Sequence, residues 1–164
     1  MSLRLEGLVL RKKILRDSDL MLQVFSQSEG RIWLVRERAL KKPQAGLDLF
    51  CQNEFIVAQA RDFTPIYQTS NLALFSNIRR DYARLQAAAQ AVKTVEKITS
   101  SLQPNPGLYR LLLNYLQDLN SLAAPELDNI KSDWHRAVLQ NEGLYRGQAV
   151  TEENFQRQIA AYRG

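Results

Sequence analysis

The sequence predicts an α+β chain, a five-stranded β-barrel at the N-terminus followed by an all-helical region. Three observations carry this reading. Through residue 75 the apolar residues recur in short period-two runs separated by Gly, Pro and acidic turn residues. From about residue 76 their spacing changes to three and four. The later runs are bounded by residues that cap or stop helices. A length of 164 residues suits one ordinary domain or two small ones, and the domains are expected at 1–75 and 76–164.

The first strand is expected over residues 5–15, with Leu8, Leu10 and Ile14 in period two and a basic end. The second spans 19–27, with Leu20, Leu22 and Val24 on one face and Met21, Gln23 and Phe25 on the other. Ser28-Glu29-Gly30 forms a tight turn, where Gly30 adopts positive φ without a Cβ penalty, and a third strand follows over 31–37. Residues 38–46 contain Pro43 and Gly46 and break the period, so a mobile basic loop is expected there. Residues 48–58, rich in Phe50, Phe55, Ile56 and Val57, and residues 66–74 complete the strands.

Beyond them, Leu85, Ala88, Val92, Val95 and Thr99 fall at helical spacing. Asn105 caps and Pro106 occupies the first helical position of the next helix, whose stripe is Leu108, Leu111, Leu112, Tyr115, Leu116, Leu119 and Leu122. Pro125 opens another, with Leu127, Ile130, Trp134 and Val138 inward and Gly143 as its stop. Thr151, followed by Glu152 and Glu153, starts a short last helix bearing Phe155, Ile159 and Tyr162.

Several chemistries are disfavoured. The chain holds one cysteine, Cys51, and one histidine, His135, so it offers no disulfide within itself and no Cys/His zinc site. Cys51 lies in an apolar stretch and reads as an inert buried thiol; His135 reads as a surface or interhelical residue. No G-x-x-x-x-G-K-[ST] and no G-x-G-x-x-G occurs, which argues against nucleotide hydrolysis. No cofactor, no metal and no enzymatic chemistry are expected. Apolar runs stay far short of the ~20 residues that span a bilayer, and a cytoplasmic protein with no membrane partner is expected.

A net charge of +5 with a pI near 9.5 favours polyanionic partners. The cations concentrate around the expected barrel: Arg11, Lys12, Lys13 and Arg16 at the end of the first strand, and Arg31, Arg36, Arg38, Lys41 and Lys42 in the third strand and its loop. Clustered on one rim, they neutralise backbone phosphates and release counterions. Glu29, Glu37, Asp17 and Asp19 are interspersed, so an ordinary solvated face is the competing reading. Trp33 shares a face with Arg31 and Val35, opposite Ile32 and Leu34, and is the candidate stacking platform. Phe25 reads as core, and Tyr67 lies on a neighbouring strand.

Five short strands closing into a barrel with basic loops suggest an oligonucleotide-binding (OB) fold. The sequence also resembles the RecO family of DNA repair and recombination mediators. The similarity runs through Gly7-Leu8-Val9-Leu10-Arg11 and the acidic-Ser-acidic run Asp17-Ser18-Asp19 before the second strand. It continues in the strand, turn and glycine-basic step Val24-Phe25-Ser26-Gln27-Ser28-Glu29-Gly30-Arg31, the basic Lys41-Lys42-Pro43 and the leucine-rich helices 108–119 and 134–145.

The resemblance implies an OB domain and a helical domain that bind single- and double-stranded DNA and promote annealing without catalysis. It also implies partnership with a RecR-like protein and with single-stranded-DNA-binding protein. It places Arg11, Arg31, Lys41 and Lys42 at basic positions of the family's barrel. Arg38 departs from the family's glycine, the chain is shorter than a usual member, and no cysteine cluster follows Tyr145, so a zinc-less member or paralogue is expected. The alternative reading is a protein-interaction adaptor whose helical domain receives a partner peptide on the 106–122 stripe, with the barrel only structural.

Overall fold

In the computed structural model, which describes residues 2–162, five strands close into a barrel in the order β1, β2, β3, β5, β4. β1 (Leu3–Ile14), β2 (Leu20–Ser26) and β3 (Gly30–Arg36) form an antiparallel meander. β4 (Gln52–Val57) pairs with the first half of β1, and β5 (Thr64–Ala73) pairs with β4. A short parallel step, Leu34 to Thr64 and Val35 to Pro65, closes the barrel. This is the α+β arrangement, an OB-type barrel and then helices, that the sequence predicts.

The chain folds as two compact units. One holds the barrel through Phe75 together with Ser100–Pro106; the other holds Ser76–Thr99 and the chain from Gly107 onward. The segment Ser100–Pro106 therefore belongs with the barrel, where Ser101 bridges to Arg31 and the Leu102 N–H donates to the Arg31 carbonyl at 2.8 Å.

β1 serves two neighbours because it changes face midway. Leu5 and Val9 point into the barrel, against Leu22, Val24, Ile32, Leu34, Phe55 and Val57. A bulge between Val9 and Arg11 then shifts the register by one, so Lys12 and Ile14 align with the interior residues Leu22 and Leu20. The expected face of Leu8, Leu10 and Ile14 is corrected accordingly. Leu8 and Leu10 are buried outside the barrel interior, whereas Ile14 is 62% exposed at its mouth. Gly7 lets β1 cross close to the Val24 side chain, where a Cβ would collide.

The turn into β3 forms as expected, with Gly30 at φ 77°. The following loop is anchored where mobility was expected. The Arg38 N–H donates to Asp19 Oδ1 at 2.9 Å, the Leu40 N–H donates to the Ser18 carbonyl at 3.1 Å, and Ala39 and Leu47 join the interior. Residues 48–51, expected as strand, form the turn into β4. Phe50 has φ 68° there, and Cys51 is buried with its thiol toward the Leu74 carbonyl at 3.4 Å.

The helical unit contains α1 (Ser76–Arg80), α2 (Tyr82–Ile98), α3 (Pro106–Ser121), α4 (Leu127–Asn141) and α5 (Glu152–Ala161). The five-residue α1 was not predicted; it is too short to show a period. In α3 the stripe Leu108, Leu112, Leu116 and Leu119 is buried together with Tyr109, while Leu122 is 37% exposed beyond the helix end. Tyr115 stacks on Trp134 of α4, with centroids 5.0 Å apart and planes 2° from parallel. α5 starts as predicted, the Thr151 hydroxyl accepting from the Asn154 N–H at 3.2 Å.

His135 is an interhelical residue, 6% exposed and stacked on Phe155 of α5 at 3.8 Å. Burial lowers its pKa to about 4. Glu152 nearby opposes the shift and Lys131 adds to it. The folded state thus binds this proton more weakly than the unfolded chain, and stability falls as pH drops from about 6.5 toward 4. Chemical denaturation across that window should show a loss approaching ~3 kcal/mol for the native chain, and His135→Phe should flatten the dependence. An unchanged slope in the variant would place the titrating group elsewhere.

Arg36 lies across the barrel closure. Its guanidinium Nη1 donates to the carbonyls of Ile66 and Tyr67 at 3.0 and 3.2 Å, where β3 itself ends. Arg36→Ala should cost about 1 to 2 kcal/mol in urea unfolding. Arg38→Ala, whose guanidinium has no partner among the described residues, should stay within about 0.5 kcal/mol.

Candidate nucleic-acid interface

Strand register assigns the predicted cations to distinct places. Cross-strand partners share a face, which puts Arg11, Gln23 and Trp33 in one row on the outside of the barrel and Lys13, Met21 and Val35 in the next. Ile14, Leu20 and Arg36 form a row across the mouth. Arg38, Lys41 and Lys42 follow in the loop at that same end, all exposed. Among the described residues Lys13, Lys41 and Lys42 carry no ion pair, whereas Lys12 Nζ lies 2.9 Å from Asp48 Oδ1.

Arg31 is not on this rim. It aligns with Phe25 at the start of β3, about 16 Å along the strand from Arg36, with its backbone engaged by the Ser100–Pro106 segment. The expected single basic rim is therefore Lys12, Lys13, Arg36, Arg38, Lys41 and Lys42, with Arg11 one row below. Arg36 and Lys12 already have partners, so Lys13, Lys41, Lys42 and Arg38 are the cations most open to an incoming anion.

The aromatic residues sort equally clearly. Phe25 is fully buried, as expected. Trp33 is half-buried on β3 and Tyr67 is 57% exposed on β5. Phe63, a turn residue to which the sequence assigns no role, is 61% exposed and adopts φ 65°, a left-handed conformation costly for a bulky side chain.

Asp62 holds Phe63 there. Its Oδ1 accepts from the Trp33 N–H at 2.9 Å and its Oδ2 from the Ser101 hydroxyl at 3.2 Å, while the Phe63 N–H donates to the Trp33 carbonyl at 2.7 Å. The clamp sets Phe63 opposite Trp33, with exposed Arg61 two residues away. The signal for it in the sequence is an aromatic residue inside a polar turn, after an aspartate able to bond backbone N–H groups.

Catalytic constellations do not form around the remaining titratable groups. Among the described residues no group of three or more His, Cys, Asp or Glu gathers to hold a metal, and no helix is long and apolar enough to cross a membrane. What the barrel offers is cationic side chains at one end and partly exposed rings along the β3 and β5 seam, the components of a nucleic-acid surface.

Comparison with known proteins agrees with this reading. Residues 1–75 match the family described as "Recombination protein O N terminal", and residues 79–135 the one described as "Recombination protein O C terminal". The chain is 29% identical over 147 residues to a DNA repair protein RecO from Alkaliphilus metalliredigens, an alignment covering 88% of this chain and 59% of that protein. It is also 29% identical over 126 residues to a protein of that name from Listeria monocytogenes, covering 74% and 49%. A third, from Desulforamulus reducens, is 29% identical over 116 residues, covering 69% and 45%. The chain thus spans about half the length of the curated relatives it matches. With both halves of the family matched in order on an OB-type barrel and a following helical unit, the chain belongs to the RecO family.

Proposed function

We propose that this protein is a non-catalytic DNA-binding mediator of recombination and repair, acting in the cytoplasm on single- and double-stranded DNA and promoting annealing. In this reading residues 1–75 are the DNA-binding domain and residues 76–164 the helical domain, and the partners are a RecR-like protein and single-stranded-DNA-binding protein. The observation that carries it is the exposed cation group Lys13, Arg38, Lys41 and Lys42 at one barrel end, in a chain of this family. These cations supply sequence-independent phosphate contacts. Arg11 and Arg31 add charge along the outer face.

Trp33, with Phe63 opposite it across the seam, supplies surfaces on which unpaired bases stack, worth about 1 to 3 kcal/mol per base. Annealing follows from such a surface in physical terms: two strands held by their phosphates on a cationic protein lose much of their mutual repulsion. The adaptor reading is weaker, because the α3 stripe that motivates it is mostly buried within the helical unit itself.

Fluorescence anisotropy with a labelled single-stranded oligonucleotide tests the proposal. Binding should weaken steeply between low and moderate salt, and Lys41→Ala with Lys42→Ala should lower affinity for all sequences and reduce the salt slope by about 2. Phe63→Ala should weaken single-strand binding by about tenfold with the slope unchanged, because stacking releases no counterions. No binding at low salt would overturn the DNA reading; loss in the lysine variant alone would remove Phe63 from the site.

A further inference from the structure

A groove of about 400 Å³ opens at the barrel mouth, where β1 and β3 end. That volume lies in the range of ligand and peptide side-chain sites. Its walls are aliphatic: Ile14 and Leu20 from the strands, Ala39, Leu40 and Pro43 from the loop, and Leu47 beneath. Ile14 is 62% and Leu40 47% exposed, and two exposed aliphatic side chains lining one concavity mark a contact surface.

The groove is held in shape by its backbone. Ser18 and Arg38 both take left-handed φ values, 68° and 55°, and are fixed by the Leu40 N–H to the Ser18 carbonyl and by the Arg38 N–H to Asp19 Oδ1. Neither residue is glycine, so this conformation is imposed by the surrounding contacts. A preformed groove spares a ligand the cost of ordering it. Lys12 lies in the lining, and Lys13, Lys41 and Lys42 are close chain neighbours of lining residues.

We propose that this groove docks a short acidic segment of a partner protein, seating a bulky apolar side chain on Ile14 and Leu40 with flanking carboxylates toward the lysines. A nucleobase fits the groove poorly. No aromatic ring lines it for stacking, and the polar edge of a base would meet chiefly Gln44 and Asp48, the latter already accepting from Lys12 Nζ and the Leu49 N–H through Oδ1. A basic segment is repelled by the lysines. The docking surface is separate from the Trp33 and Phe63 rings, so it stands apart from the stacking part of the DNA reading; it shares only the rim lysines.

The test uses the full chain and a labelled peptide, Asp-Glu-Leu-Asp-Phe-Glu, with two controls: one with Ser at both apolar positions and one with Lys at the acidic positions. The first peptide should bind about tenfold or more tighter than either control. Ile14→Asp and Leu40→Asp should each abolish its binding while leaving oligonucleotide affinity within about twofold. Both sites are exposed, and a circular-dichroism melt confirms that each variant folds. Peptide affinity unaffected by either substitution, equal affinity for the Ser control, or no binding at all would overturn the assignment. If the two substitutions abolish oligonucleotide binding and spare the peptide, the groove belongs to the DNA path and the assignment fails. Failure of DNA binding alone would sink the DNA reading and leave the peptide site standing.

Discussion

The barrel depends on a closure that is only two residue pairs long. β3 and β5 run parallel through Leu34 with Thr64 and Val35 with Pro65, and Pro65 has no N–H to contribute. β3 must leave the sheet after Arg36 to feed the loop that reaches β4, so the carbonyls of Ile66 and Tyr67 would otherwise lose a partner on that side. The Arg36 guanidinium reaches both of them. A side chain thus continues the ladder past the point where the strand can. The same seam fixes everything placed beside it: Phe63 lies one residue before the pairing begins, and the mouth of the barrel opens just past its end.

This closure also explains why the acidic residues scattered among the cations are not simply a neutralising background. Asp19 holds the Arg38 N–H, Asp62 holds the Trp33 N–H and the Ser101 hydroxyl, and Asp48 holds Lys12 and the Leu49 N–H. Each carboxylate is committed to a backbone or loop group that folding must satisfy. Lys13, Lys41 and Lys42 are left exposed without an ion pair among the described residues. A count of charges along the chain gives the solvated-face reading equal standing; the geometry separates carboxylates that hold loops from cations that face solvent.

Much of the architecture was legible because it rests on periodicity. The barrel strands, the turn at Gly30, the cap at Thr151 and the stop at Gly143 all follow from local chemistry that a single sequence displays. The β-bulge was not legible, since both faces of β1 are apolar and a one-residue shift leaves no mark in such a run. Its consequence was large, because it turned Ile14 from an expected core residue into the most exposed wall of a groove. The left-handed residues Arg38, Phe50 and Phe63 were invisible for a related reason: their conformations are imposed by tertiary contacts against their own preference. The single rim broke down at Arg31 because β3, seven residues long, carries Arg31 and Arg36 toward opposite ends although they look adjacent in the text of the sequence.

The barrel therefore presents two surfaces with different physics on one small scaffold. Along the seam, rings are held out at a cost in backbone strain, and what they offer is largely insensitive to salt. At the mouth, cations surround an aliphatic groove, and whatever binds there is attracted over a distance of about one Debye length, ~8 Å at physiological ionic strength. The rim lysines are common to both surfaces under the proposed readings. An acidic protein segment at the mouth would then compete with phosphate for the same charges without touching the rings. Such an arrangement would let a partner loosen the electrostatic hold on a strand while leaving its stacked bases in place, a coupling that follows from shared charge alone and requires no change of shape.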